Sequence, residues 1–150
     1  MTHPHPLPDF RDPSLSATQI HSALDLKPHP EGGHYLEVWR DAPAGGGRGA
    51  ASSILFLLSA GERSHWHRID ATEIWVWLAG APLLLELHEG DENRKSLKLG
   101  PGAGETFQGI VPPHAWQAAS SLGAWTLVSC IVALAFQFEG FELAPPNWSP

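Results

Sequence analysis

Glycine and proline break this chain so often that long helices have nowhere to form. Fifteen glycines and 14 prolines are spread along its 150 residues. Each one inside a helix costs roughly 1 to 3 kcal/mol, whereas turns between strands use both freely. Between the breaks the polarity alternates with period two. His34 to Arg40, Ser52 to Leu58, Ser64 to Arg68, Glu73 to Leu78, Leu83 to His88, Ser96 to Leu99, Ala115 to Ala119 and Trp125 to Phe138 read as strands. Eight or more short strands predict an all-β sandwich or barrel. One helix is expected as well: Ser16-Ala17-Thr18-Gln19 has the form of a capping box, Ile20 and Leu24 follow on one face, and the helix ends near Asp25, before Pro28.

A mass of 16.3 kDa suits one domain. It is expected over residues 14–150, behind a flexible Pro- and His-rich tail over 1–13, where His3 and His5 read as parts of a frayed end. Cys130 lies in an apolar run and reads as a buried small hydrophobe, with no disulfide within the chain. Nothing near the start resembles a secretory signal, and the apolar runs fall short of a bilayer span, so a cytoplasmic protein with no membrane partner is expected. The formal net charge of −7 argues against nucleic acid. Two glycine-rich stretches, Ala44 to Gly49 and Gly100 to Gly104, lack the strand-before, helix-after context of a phosphate loop and read as connections, as does the charged stretch Glu89 to Lys95.

The nine histidines are as many as all Lys and Arg together. The pair that matters is His65 and His67. Residues two apart on a strand project from one face about 6.5 Å apart, so both imidazoles can converge on one ion or ligand. Glu73 opens the following strand and adds a carboxylate. Two imidazoles and a carboxylate suit Zn, Fe, Mn, Ni or Cu without fixing which.

The segment from Gly61 to Gly80, taken with Gly109 to Gln117, resembles the two motifs of the cupin superfamily, through Gly61, His65, His67, Glu73 and Gly80. It resembles in particular the small single-domain cupins of the cupin-5 family, a domain of unknown function. The residues that carry this are Pro28-His29-Pro30-Glu31-Gly32-Gly33, the aromatic strand Tyr35 to Arg40, Ser52-Ser53-Ile54, His67-Arg68 ahead of Glu73-Ile74-Trp75, and Ala79-Gly80 followed by Pro82-Leu83. The likeness runs from about Ile20 to Leu143. It implies a double-stranded β-helix, a jelly roll of two packed antiparallel sheets with one short helix outside, assembled as a homodimer. It also implies a site inside the barrel, with His65, His67, Glu73 and Gln117 as metal ligands. The chain departs from the superfamily pattern in three places. Five residues separate His67 from Glu73, Gln117 stands where the fourth ligand is a histidine, and Leu134-Ala135-Phe136 replaces the family's Pro-Gly-Phe.

Each candidate also has a plainer use. His65 and His67 can hydrogen-bond neighbouring groups inside the fold. Glu73 alternates with Trp75 and Trp77 and therefore points inward, where a buried carboxylate needs a partner, such as His67 or Arg68, or a function. Ser53, Tyr35, Trp75, Trp77, Arg40, Arg68 and His114 are expected to line the pocket. Against that, Arg40 and Arg68 can form salt bridges, the tryptophans can be core, and His114 reads best as a loop residue at the mouth. Glu31 with Gly32-Gly33 reads as a turn. Three functions stay open: a metal-dependent enzyme acting on a small molecule, a metal-free epimerase or isomerase using His67 and Glu73 as acid and base, and a module that binds a metabolite without turnover.

Overall fold

The computed structural model describes residues 6–90 and 93–150; His3, His5, Asp91 and Glu92 lie outside them. The expected helix is present as α1 (Ala17–Leu24). Ser16 Oγ accepts from the Gln19 amide at 3.2 Å, the Gln19 side chain accepts from the Ser16 amide at 2.9 Å, and Asp25 ends the helix in the left-handed conformation. Among the described residues eleven strands follow: β1 (Lys27–Pro28), β2 (His34–Arg40), β3 (Ser52–Ser59), β4 (Arg63–Ile69), β5 (Thr72–Gly80), β6 (Leu83–His88), β7 (Lys95–Leu99), β8 (Gln108–Val111), β9 (Trp116–Ser121), β10 (Trp125–Ala133) and β11 (Phe141–Leu143).

The strands form two antiparallel sheets, a six-stranded one in the order β1-β2-β3-β10-β5-β8 and a five-stranded one in the order β11-β4-β9-β6-β7. They pack as a jelly roll and do not close into a barrel, because among the described residues no strand of one sheet pairs with a strand of the other. The space between them is filled from both sides. Phe56, Trp75, Val128 and Cys130 come from the first sheet, and Leu83, Leu85, Leu87 and Ala119 from the second. Burying such side chains is the main favourable term in holding the sheets together, at roughly 1.5 to 3 kcal/mol each. Outside, α1 lays Ile20 and Leu24 on Leu57, Trp125 and Leu127 of the first sheet, and Phe10 packs on the same cluster.

Two departures from simple alternation shape the space between the sheets. The first is a bulge in β4. Arg63 and Ser64 pair with Ser120 and Ala119, but His67 pairs with Gln117, so His65 and Trp66 together oppose one residue of β9. An extra residue reverses the inward and outward sides of a strand beyond it. Ser64, His67 and Ile69 all end up buried, while Trp66 is buried on the other side, with Ala118 and Ala144. The second departure is at the end of β10. The sequence predicts one strand to Phe138, but pairing stops at Ala133 and the chain crosses to the other sheet, where β11 pairs with β4. The crossing segment is held by Arg48, which donates to the Ala135 carbonyl at 2.7 Å, and by Arg40, which donates to the Phe136 carbonyl at 2.6 Å.

Candidate functional site

The crossing segment roofs a cavity of about 300 Å³ between the sheets. Four titratable groups from three places meet there: His29 and Glu31 from the loop before β2, His67 from β4 and Glu73 from β5. The loop is forced inward by its glycines. Gly32 has φ +105°, and a Cβ at that position would lie 2.2 Å from the Arg63 carbonyl oxygen; at Gly33, with φ +76°, a Cβ would lie 2.7 Å from the Phe56 ring. Only glycine tolerates that combination of backbone angle and approach. The result is that Glu31 is carried over β4, where its carbonyl accepts from the His65 amide at 2.8 Å.

Nε2 of His67 lies 3.0 Å from Oε2 of Glu31, with both side chains buried. The other ring nitrogen fixes the tautomer: Nδ1 faces the His65 carbonyl at 2.8 Å, which can only accept, so Nδ1 carries hydrogen. Burial pushes the Glu31 carboxyl up to about 8 and pushes the His67 imidazole down, each toward its neutral form. One proton on Glu31 therefore satisfies both groups, the carboxylic acid donating to Nε2 of His67. Ser64 donates to the other Glu31 oxygen at 3.0 Å. His29 stands alongside; its Nδ1 accepts from the Glu31 amide at 3.2 Å, and burial, then the neighbouring His67, pushes it down to about 4.

Glu73 has a different set of partners. Trp75 donates its indole hydrogen to Oε1 of Gln117 at 2.8 Å, and Nε2 of Gln117 donates to Glu73 at 2.6 Å. The indole can only donate, so the orientation of the amide is determined. The Cys130 thiol lines the cavity beside the same carboxyl. Burial raises Glu73 to about 7, partly offset by His67. The buried carboxylate expected to lean on His67 or Arg68 is thus hydrogen-bonded by Gln117, and the carboxyl that touches His67 is Glu31.

The expected metal ligands do not converge. The bulge turns His65 away from His67, and its Nε2 donates to the Pro145 carbonyl at 2.8 Å. Gln117 accepts from Trp75 through its oxygen and donates to Glu73 through its nitrogen, so its amide bridges two core groups. Among the described residues, no three His, Cys, Asp or Glu side chains are grouped as a metal would need. As arranged, the donor set does not fit a divalent ion.

The expected pocket lining divides in the same way. Tyr35 and Arg40 line the cavity. Ser53 does not; its neighbour Ser52 does, and Ser53 faces Ser129 at 3.5 Å. Trp75 is core beneath the cavity, edge-on to Phe56, and Trp77 packs further along the core and donates to the Ala81 carbonyl at 3.1 Å. Arg68 points outward to Glu142 at 2.6 Å and over the Trp116 ring at 4.6 Å. His114 sits in the turn before β9 with φ 66°. The residues that sequence reasoning passed over are His29, Glu31, Ser64, Cys130 and the phenylalanines of the crossing segment. The block Pro28 to Gly33 was visible, but a Glu beside Gly-Gly reads as a turn until the turn is seen to face the core.

Among the described residues no helix is long and apolar enough to cross a membrane. No protein of curated function matches the chain. Among solved structures it is similar to a hypothetical protein from Leishmania major (32% identity, 87% of this chain and 88% of that one, TM-score 0.77) and to a protein from Shewanella oneidensis (34%, 87% and 85%, 0.82). The oxalate decarboxylase of Bacillus subtilis, a protein with Mn(II) centres, shares the fold at 13% identity over 80% of this chain and 30% of that one, with TM-score 0.60. The family model of Cupin_5, cupin superfamily (DUF985), matches residues 18–144, and the chain belongs to that family.

Proposed function

We propose that this cupin is a metal-independent acid–base catalyst of the isomerase or epimerase type, acting on a small molecule held in the cavity. The observation that supports it is the 3.0 Å contact between His67 and Glu31 in a cavity wall. A general acid works best with a pKa near the working pH, and Glu31, at about 8, keeps its proton at neutrality. Glu73, at about 7, supplies a second group that exists in both forms there. A substrate that approaches Glu31 can take its proton while His67, relieved of that donor, stands as the base. The hydrogen bond from Nδ1 to the His65 carbonyl steadies the imidazole when it is charged. Proton removal beside a carbonyl with return at a neighbouring atom needs no more than such a pair.

The reading is tested without knowing the substrate. Protein is incubated with a metabolite extract in D2O, and the extract is analysed by mass spectrometry. A compound gaining one non-exchangeable deuterium with the wild type, and not with His67→Gln or Glu31→Gln, is the expected result. No such compound with the wild type overturns catalysis and leaves a module that binds without turnover.

A further inference from the structure

Three phenylalanines of the crossing segment, Phe136, Phe138 and Phe141, line the cavity with ring centroids 4.9, 5.9 and 6.0 Å apart. Phe138 is 55% exposed, a phenyl ring left in water at the mouth. Aromatic faces carry the negative end of a quadrupole and attract cations. The acidic lining points the same way. Glu37 and Glu139 bring carboxylates to the cavity, Glu31 and Glu73 line it as buried carboxyls whose ionised forms a bound cation would favour, and Arg40 is the one arginine or lysine among the described lining residues. That guanidinium is already committed. It donates to both oxygens of Glu37, at 3.0 and 2.7 Å, and to the Phe136 carbonyl at 2.6 Å. Arg48 nearby is likewise taken by both oxygens of Asp70, at 2.9 and 2.7 Å. An anionic ligand would meet carboxylates with no uncommitted cation among the lining residues, and a neutral one would gain nothing from the charge.

We infer that the ligand of this cavity is an organic cation, an amine or quaternary ammonium on a compact apolar body, bound against the phenylalanine collar with its charge toward the carboxylates. The inference rests on the proposal that the cavity is a small-molecule site and specifies what enters it. Sugar phosphates and nucleotides are excluded by the same charge balance.

The test uses three probes of nearly one shape: choline, its neutral carbon isostere 3,3-dimethylbutan-1-ol, and the anion 3,3-dimethylbutanoate. Each is titrated into the full-length protein at about pH 7.5 and followed by amide chemical shifts. Choline is expected to bind at least about tenfold more tightly than the alcohol, a margin within the range of a desolvated cation on aromatic faces, and the carboxylate more weakly than either. Phe138→Leu and Glu139→Gln, both at exposed positions that leave the core intact, should each narrow the choline-to-alcohol ratio several-fold. Equal or tighter binding of the alcohol, preference for the carboxylate, or no binding of choline at about 10 mM overturns the inference. A chain that prefers choline yet exchanges no deuterium loses the catalytic reading alone, whereas one that exchanges deuterium into anionic metabolites loses only the preference for cations.

Discussion

His67 and Glu31 meet at 3.0 Å as a neutral pair, an imidazole with its lone pair on Nε2 facing a protonated carboxyl. Burial favours the uncharged form of both groups, lifting the carboxyl well above its ordinary range and lowering the imidazole, so separating them costs more than one hydrogen bond. Glu31→Ala would leave Ser64 and His67 without their shared partner. A loss of roughly 2 to 4 kcal/mol in folding stability is expected by urea denaturation, with Glu31→Gln losing less than half of it. Equal losses for the two variants would show that the pairing contributes little.

The same burial sets a pH dependence. Glu31 holds its proton in the folded chain up to about 8 and Glu73 up to about 7, against the ordinary carboxyl value of 4.5. Both folded values are raised, so their contribution is complete at low pH and is lost as pH rises through 7 to 8. His29 acts in the opposite sense: lowered to about 4, it makes stability rise between about 4 and 6.5. Above 6.5 only the carboxyls count, and stability should fall by roughly 1.4 kcal/mol per pH unit for each proton held only by the folded chain. Thermal melts from about pH 6.5 to 8.5 check this, and Glu31→Gln should flatten the upper part of the decline. A melting temperature that climbs over that range contradicts the assignment.

Gln117 spans Trp75 and Glu73 inside the core. Gln117→Leu keeps the volume and deletes both contacts, leaving a buried indole hydrogen and a buried carboxyl without their amide partner. We expect a cost of about 2 to 5 kcal/mol and an upfield move of the Trp75 indole proton resonance. An unmoved resonance would mean that the indole donates elsewhere.

His65 separates the site from its surroundings. Its imidazole holds the Pro145 carbonyl on the outer side of β4, so His65→Ala should cost no more than about 1 kcal/mol and speed amide exchange around Ala144 and Trp148. The NMR titration of His67 and the metal content of purified protein should stay unchanged. A drop in bound metal in this variant would put His65 back in the site.

Gly32 gives the sharpest backbone test. Gly32→Ala adds a Cβ that the Arg63 carbonyl already occupies, on a positive φ. A loss of about 3 kcal/mol or more is expected, or expression only in insoluble form, while Gly61→Ala, also at positive φ but in open space, should cost about 1 kcal/mol. Similar losses at both positions would remove close approach as the reason for the glycine.

Much of the fold was legible because it depends on local alternation. β2 and β6 coincide with the expected runs, and α1 begins at the expected cap. What escaped were the two-residue β1, then β8 and β11, short strands whose pairing is decided by partners far along the chain, and the early end of β10, where the chain must change sheets. Within the site, Glu73 was legible as an inward carboxyl because β5 keeps its period through Trp75. Gln117 was legible as a site residue, although in the role of ligand rather than bridge. Glu31 was not legible, since its burial comes from tertiary approach of a loop that looks polar and turn-like. The pairing of His65 with His67 failed for one reason: the period of two holds only while a strand has no bulge.

That bulge gives β4 two reading frames. Before it, odd and even positions mean one thing; after it they mean the other, as if a single letter had been inserted in a code read in pairs. Substitutions at His65 or Trp66 change a letter, whereas deletion of either takes the inserted letter out. Without Trp66, Ser64 and His67 would stand two apart in a regular strand, still opposite Ala119 and Gln117 and still on the side of Glu31. The bulge therefore lets β4 carry one residue more on its outer side without moving the groups that face the cavity.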